Sequence, residues 1–164
     1  DQLPPFRDYD MEGHTYRFLR DKPLYPFGFG LSYTTFGYSD LAMSAASLAP
    51  GQSLEVSVTV TNTGDAAGDE VVQCYLADPD ASVPAPVRQL VGFDRIHLAP
   101  SETQRVIFTV APKQMSLFLD DGRRVVEPGT FELFVGGGQP GTDAAGVAGE
   151  FKVAGDDVWD VPAG

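Results

Sequence analysis

Apolar and polar residues alternate along most of the chain from residue 35 onward. Val56, Val58 and Val60, for example, are separated by single polar residues, which is the period-two pattern of a half-buried β-strand. The same alternation returns in later segments, at residues 69–77, 90–98, 103–110, 124–127, 130–135 and 150–153. Turn-forming residues separate these segments, and no long helical period interrupts them. The pattern predicts seven to eight short antiparallel strands.

The connections between these strands fit two packed antiparallel sheets. Asp120-Asp121-Gly122 is a strong hairpin signal, and Pro128-Gly129 marks another turn. Residues 112–119 predict one helical turn followed by a strand, and the glycine-rich residues 136–149 predict a flexible loop. The sequence therefore predicts an all-β fold, an immunoglobulin or fibronectin type III-like β-sandwich with an irregular N-terminal extension. Cys74 is the only cysteine, which favours the fibronectin-like form because no disulfide can form within the chain.

The first 36 residues follow neither period and are rich in aromatic residues and proline. Because proline fixes φ and glycine relaxes it, residues 25–30 (YPFGFG) predict an irregular, extended segment. So many aromatic side chains need cover, either from the sandwich itself or from another domain. The residues predicted to pack between domains are Tyr25, Phe27, Phe29, Tyr33 and Phe36.

The change of pattern predicts three parts of the chain. Residues 1–34 are expected to be a linker or the end of a preceding domain, residues 35–154 the β-sandwich domain, and residues 155–164 a C-terminal tail. The chain begins with Asp rather than Met and shows no charged-then-apolar leader. We therefore expect a fragment, a processed protein or a deliberately shortened chain.

The charge of the chain argues against several classes of partner. Its 164 residues include 23 acidic and 11 basic side chains, for a net charge of −12. Phosphate backbones and anionic lipids are repelled by such a surface, so neither nucleic acid nor a membrane is an expected partner. No apolar run is long enough to span a bilayer.

Residues with catalytic or metal-binding chemistry are present but poorly arranged. The acidic groups are Asp8/Asp10/Glu12, Asp69/Glu70, Asp78/Asp80, Asp120/Asp121 and Asp156/Asp157. Most lie in predicted turns or tails, where an aspartate usually caps its own backbone. His14, His97 and Cys74 lack the local spacing of a zinc site. We predict no catalytic residue, no metal and no cofactor in this chain, and we expect Cys74 to pack as a small apolar residue.

Four segments together carry a resemblance to a known family. Residues 23–36 (PLYPFGFGLSYTTF), 59–73 (TVTNTGDAAGDEVVQ), 86–93 (PVRQLVGF) and 126–137 (VEPGTFELFVGG) resemble glycoside hydrolase family 3. The first is similar to the segment that joins the family's α/β sandwich domain to its C-terminal fibronectin type III-like domain. The others are similar to the first hairpin, crossover and last hairpin of that domain. The resemblance covers nearly the whole chain.

The resemblance implies a parent enzyme with three domains. It would be a retaining, exo-acting β-glycosidase with its nucleophilic aspartate in a TIM barrel and its acid/base carboxylate in the barrel or the α/β sandwich domain. No catalytic residue can therefore be placed in this chain. Residues 3–11 and 15–18 resemble the β-xylosidase branch more than the β-glucosidase branch. His14 replaces an arginine usual in that branch, which puts a linker salt bridge in doubt, and Cys74 replaces a leucine. The resemblance also implies a secreted or periplasmic location.

Three functions remain open from the sequence. The first is a structural module that stabilises the parent by packing against its barrel and α/β sandwich domains. The second is a carbohydrate-binding module that positions an oligo- or polysaccharide, with rings available for sugar stacking at Tyr75, Phe134 and Trp159. The third is an autonomous adhesion-type or chaperone-type sandwich with an unpaired edge strand. The joining segment favours the first, since an autonomous module has no use for it.

Overall fold

The computed structural model describes residues 13–162, and strands dominate this range. One short helix, α1, and a 3₁₀ turn accompany eleven strands. The helical segments are α1 (Thr15–Phe18) and the turn Pro112–Gln114, and the strands are β1 (Phe36–Met43), β2 (Ser47–Leu48), β3 (Leu54–Asn62), β4 (Gly68–Ala77), β5 (Gln89–Leu98), β6 (Thr103–Val110), β7 (Leu117–Phe118), β8 (Arg124–Val126), β9 (Gly129–Gly136), β10 (Gly146–Val153) and β11 (Trp159–Asp160). No helix within this range is long and apolar enough to cross a membrane.

The long strands form two sheets, which confirms the predicted all-β sandwich. One sheet has three strands in the order β1-β3-β6, and the other has five in the order β2-β10-β9-β4-β5. All the long strands pair in antiparallel fashion, and only the two-residue β2 runs parallel to its neighbour β10. The short strands β7, β8 and β11 make a small third sheet.

The core lies between the inner faces of the two large sheets. In β3 and β6 every second residue is buried, as the alternation predicts, because successive side chains of a strand point to opposite faces. Phe131 of β9 and Phe151 of β10 stack at the centre with ring centroids 5.4 Å apart. Both rings are almost completely buried. Cys74 is also fully buried among these apolar residues, and burial raises the pKa of its thiol to about 12.

Glycine shapes the fold at the centre of β5. The sequence predicts an interruption at Gly92, and the β4–β5 ladder does shift register between Cys74 and Tyr75, opposite this glycine. A Cβ atom at Gly92 would lie 2.9 Å from Cδ1 of Phe108, so a side chain there would collide with the core. The irregularity thus lets Phe108 of the facing sheet approach the β5 backbone closely.

The last long strand begins earlier than the sequence predicts. A strand was expected over residues 150–153 after a flexible loop, but β10 pairs with β9 from Gly146 onward. Glycine gives no side-chain alternation, so the period-two signal is missing there although the backbone hydrogen bonds form. The loop that remains covers residues 137–145.

Candidate docking surface

The N-terminal segment covers the side of the five-stranded sheet that points away from the core. It thereby buries β4 on both sides. Phe27 stacks on Tyr16 with centroids 4.1 Å apart, and Tyr16 meets Tyr75 edge to face at 6.4 Å. Tyr75 is consequently only 1% exposed, and its hydroxyl donates a 2.6 Å hydrogen bond to Gln73 Oε1. The prediction that Tyr75 presents a ring for sugar stacking is therefore wrong, because an aromatic residue distant in sequence lies on top of it.

Polar contacts hold the start of this segment in place. Arg17 Nη2 donates to Gln89 Oε1 at 2.5 Å, and Arg88 Nη1 donates to the carbonyl of Leu19 at 3.4 Å. The Tyr16 hydroxyl accepts a 3.3 Å hydrogen bond from the backbone N–H of Leu90. Since donors and acceptors come from both the segment and β5, the segment is fixed to the sandwich rather than merely lying near it.

Gly28 sets how closely the segment approaches the sheet. It has a φ of +77°, and a Cβ atom there would lie 2.7 Å from Nε2 of the buried Gln73. Gln73 is itself held, because its Nε2 donates to the Gly137 carbonyl at 3.3 Å and its Oε1 accepts from Tyr75. Only glycine satisfies both the left-handed backbone and the missing space.

On both sides of Gly28 the segment turns large apolar side chains away from the sandwich. We call this surface the outer face; its residues are Leu24, Tyr25, Phe29, Leu31 and Tyr33. Their exposure runs from 52% for Phe29 to 102% for Tyr33. Tyr25 and Phe29 touch each other with centroids 5.2 Å apart. Soluble monomers seldom expose so many neighbouring apolar side chains, and such a patch usually marks a contact surface.

The five aromatics predicted to pack between domains therefore occupy three environments. Tyr25, Phe29 and Tyr33 are exposed, which suits contact with a separate body. Phe27 is partly exposed and uses one ring face to stack on Tyr16. Phe36 opens β1 and packs against the core of its own sandwich. The sequence pattern did not separate these roles because all five are aromatic residues in an aperiodic segment.

The two remaining candidates for sugar stacking lie on different sheets. Phe134 is half-buried on β9, and its ring lies across Gly136 and Gly146, where added Cβ atoms would collide with it. Trp159 is half-buried on β11, and a Cβ atom at Gly51 would lie 2.8 Å from its ring. With Tyr75 buried, the three rings do not form a row on one sheet face.

Four of the predicted acidic residues within the described range either pair with basic side chains or face solvent. Asp69 pairs with Arg95 and with Nδ1 of His97 at 2.6 Å, and these two hydrogen bonds lower its pKa. Asp121 pairs with Arg123 at 2.8 Å in the β7–β8 turn. Asp156 and Asp157 are exposed, and the group Asp8/Asp10/Glu12 lies outside the described residues, as does the 3–11 motif.

Asp78, at the end of β4, is expected to destabilise the fold at neutral pH. Burial raises the pKa of this half-buried carboxyl from 3.8 to about 6, with smaller contributions from Glu127 and Asp80. A raised pKa means that stability is lost as pH rises through it, because the folded state must then hold the charge. Asp78→Asn should therefore raise the free energy of unfolding at pH 7 by about 1 kcal/mol, after discounting the two-unit shift for solvent screening.

Urea unfolding at pH 7 and pH 3.5 measures this effect. The gain from Asp78→Asn should fall to about 0.3 kcal/mol or less at pH 3.5, where the carboxyl is protonated in the folded state and mostly protonated in the unfolded state. Asp94→Asn, which removes the same charge from an exposed position on β5, is the matched control and should stay within about 0.5 kcal/mol at both pH values. A gain for Asp78→Asn that is equal at the two pH values would contradict the assignment.

Comparison with known proteins identifies the domain. Residues 70–139 match the fibronectin type III-like domain family. A β-xylosidase from Formosa agariphila is 47% identical over 128 residues, which is 78% of this chain and 18% of that protein. A β-glucosidase from Erythrobacter marinus has a similar structure, with a TM-score of 0.74 and 38% identity over 81% of this chain and 17% of the other. Residues 70–139 are a fibronectin type III-like domain, and the chain is similar to one part of family 3 glycosidases.

These fibronectin type III-like relatives are much longer than this chain. A periplasmic β-glucosidase from Salmonella typhimurium is 43% identical over 114 residues, which is 70% of this chain but 15% of that protein. The chain thus spans less than a fifth of the length of the curated relatives named here. The family predicted from the motifs is confirmed, and the rest of each relative consists of sequence with no counterpart in this chain.

Proposed function

We propose that this domain is a non-catalytic structural module that stabilises a family 3 glycoside hydrolase by docking its outer face on the catalytic domains. The observation that carries the proposal is the division of the N-terminal segment. Tyr16 and Phe27 seal the sandwich, whereas Leu31 and Tyr33 stand almost fully exposed on a backbone that is held in place. When a partner covers an apolar surface whose backbone is already fixed, the contact is stabilised by about 25 cal/mol per Å² of apolar area.

The proposal is tested with Leu31→Ala/Tyr33→Ala, made both in this chain and in the longer protein expected to contain it. In the isolated chain the free energy of unfolding should change by less than about 0.5 kcal/mol, since both side chains are exposed. In the longer protein the same double variant should cost about 2–4 kcal/mol, because two buried side chains are truncated. Calorimetry and urea unfolding of both forms measure the difference.

Ile107→Ala is the control for this pair. Ile107 is an exposed apolar residue on β6 of the three-stranded sheet, and its replacement should leave both forms unchanged. Equal effects of Leu31→Ala/Tyr33→Ala in the two forms would show that the outer face is not covered in the longer protein.

For the parent protein we propose a retaining, exo-acting β-glycosidase that acts on β-xylosides in an exported location. Support comes from the 47% identity to one β-xylosidase and from the name of the periplasmic relative. Faster hydrolysis of an aryl β-glucoside than of an aryl β-xyloside by the longer protein would reject the xyloside preference. The domain boundaries at residues 34 and 154 remain predictions of the same proposal.

Binding of an oligo- or polysaccharide by this domain remains a hypothesis. A carbohydrate-binding face of a β-sandwich would need several coplanar exposed rings, and of the three candidates only Phe134 lies half-exposed on the large sheet. Titration of the chain with xylo-oligosaccharides decides the question, and we place the structural role first.

A further inference from the structure

A cavity of about 400 Å³ opens beside the outer face, between the N-terminal segment and the loop that follows β9. Its wall includes Phe29 of the outer face and Thr34, and its inner side includes Tyr38, Glu70 and Gln139. We call it the Glu70 cavity. The structural core does not use these polar groups, so their arrangement calls for a separate explanation.

Glycine leaves the space in front of the polar groups. A Cβ atom at Gly137 would lie 3.2 Å from both Glu70 Oε2 and the Tyr38 hydroxyl and 3.3 Å from Glu70 Oε1. The carboxylate and the hydroxyl therefore converge on one point that any larger residue would fill. Burial, and then the charge of the neighbouring Glu70 carboxylate, raises the pKa of the Tyr38 hydroxyl.

One acceptor at the cavity lacks a donor, and one carboxylate lacks a cation. Gln139 is 3% exposed, and its Oε1 has no hydrogen-bond partner among residues 13–162. Glu70 Oε1 accepts one hydrogen bond, at 2.7 Å from the N–H of Val71. Within the described range no lysine, arginine or histidine nitrogen lies within 4.0 Å of the Glu70 carboxylate. Glu70 is half-buried, and a half-buried carboxylate without a cation is less favourable than a paired one.

The chemistry of these groups selects a donor-only ligand. A guanidinium carries five N–H donors and no acceptor, and it matches a carboxylate in a bidentate way. A sugar hydroxyl both donates and accepts, so it suits an acceptor-rich site less well. Phe29 adds an aromatic wall of the kind on which a guanidinium stacks. Burial raises the pKa of Glu70 although hydrogen bonds from Val71 and Tyr38 act in the opposite direction, and no cation contributes.

We propose that the Glu70 cavity receives an arginine side chain from the neighbouring domain of the parent enzyme, with the guanidinium on the Glu70 carboxylate. This inference rests on the proposed docking function and names the polar anchor of that surface. Lys22 does not fill this role, because its Nζ lies 3.4 Å from Asp143 at the exposed rim. A carboxylate at the edge of an apolar patch would fix the orientation of the partner, which apolar contacts alone do not.

The experiment titrates the chain with ethylguanidinium chloride and follows the amide signals of Val71 and Gly137 by NMR, with sodium chloride at equal concentration as the salt control. Saturable shifts in the millimolar range are expected. Glu70→Gln should weaken the binding at least tenfold, whereas Glu132→Gln, at an exposed position on β9, should not change it. Gly137→Ala should also abolish it, because the new Cβ atom occupies the converging point.

Several results would overturn the inference. They are shifts that do not saturate, equal binding by Glu70→Gln, or saturable binding of neutral xylose or glucose at the same amides in place of ethylguanidinium. Arg7, outside the described residues, gives a further arm: if the chain binds ethylguanidinium only after Arg7→Ala, the occupant is its own arginine and the partner assignment fails. Thermal unfolding of each variant shows that it is folded.

The two proposals can fail separately. If ethylguanidinium binds but Leu31→Ala/Tyr33→Ala has no greater effect in the longer protein, the docking function fails while the cation site stands without a partner. Suppose instead that the double variant destabilises the longer protein, while Glu70→Gln neither weakens ethylguanidinium binding by this chain nor destabilises the longer protein. The docking function then stands and the arginine anchor fails.

Discussion

Asn62→Ala is expected to lower the free energy of unfolding by about 2–4 kcal/mol, although it removes only a small polar side chain from the end of β3. The side chain is 1% exposed and makes four hydrogen bonds. Its Nδ2 donates to the carbonyls of Ala66 and Leu98, at 2.8 Å and 3.0 Å. Its Oδ1 accepts from Thr34 Oγ1 at 2.6 Å and from the Gly64 N–H at 3.1 Å.

This side chain matches its surroundings because an amide offers two donors and an accepting oxygen at once. It joins the segment before β1, the β3–β4 turn and the end of β5, so its loss leaves buried groups of three parts unpaired. Asn62→Asp should be destabilising as well, since a second oxygen would face the carbonyls of Ala66 and Leu98.

Urea unfolding monitored by circular dichroism measures the loss. Thr63→Ala is the control from the same turn, because its hydroxyl makes one exposed 2.9 Å contact with Thr35 Oγ1. That variant should lose less than about 1 kcal/mol. If Asn62→Ala were as mild as Thr63→Ala, the four hydrogen bonds would not hold these parts together.

Phe131→Ala is expected to cost about 3–5 kcal/mol, the range for truncating a buried aromatic residue to alanine. The ring stacks on Phe151, and both lie on the inner face of the five-stranded sheet. Because the antiparallel β9–β10 ladder holds their backbones opposite each other, the neighbours cannot close the resulting space fully. The missing ring should leave a cavity rather than a repacked core.

Phe93→Ala serves as the matched control, since it removes the same ring from an exposed position. Its unfolding free energy should stay within about 0.5 kcal/mol of the parent chain. Equal losses for Phe131→Ala and Phe93→Ala in urea unfolding would mean that the stacked pair does not lie at the centre of the core.

Much of this architecture could be predicted because the strands that carry it are amphipathic. Val56, Val58 and Val60 alternate with polar residues, and the structure buries all three. The pattern was weaker where glycine replaces a side chain, as at the start of β10 from Gly146. It also failed at Tyr75. The pattern of its strand predicts one exposed face, but the N-terminal segment covers that face.

The candidate surface was found in the right segment but not resolved into its parts. Composition alone placed the aromatics together, because an aperiodic run rich in proline and aromatic residues needs cover. It could not show that Tyr16 would stack on Phe27 and so separate the inner rings from the outer face. Nor could it place Tyr38, Glu70 and Gln139 around one cavity, since they come from β1, β4 and the loop after β9.

The sequence by itself determined the strand periods, the family and the absence of a basic or membrane-spanning stretch, because these depend on residues that are neighbours along the chain. The tertiary structure decided which aromatics face inward, which carboxylate lacks a cation within the described residues, and where glycine opens space for another group. Those features depend on distances between residues far apart in sequence, and only the packing of the N-terminal segment against the two sheets fixes such distances.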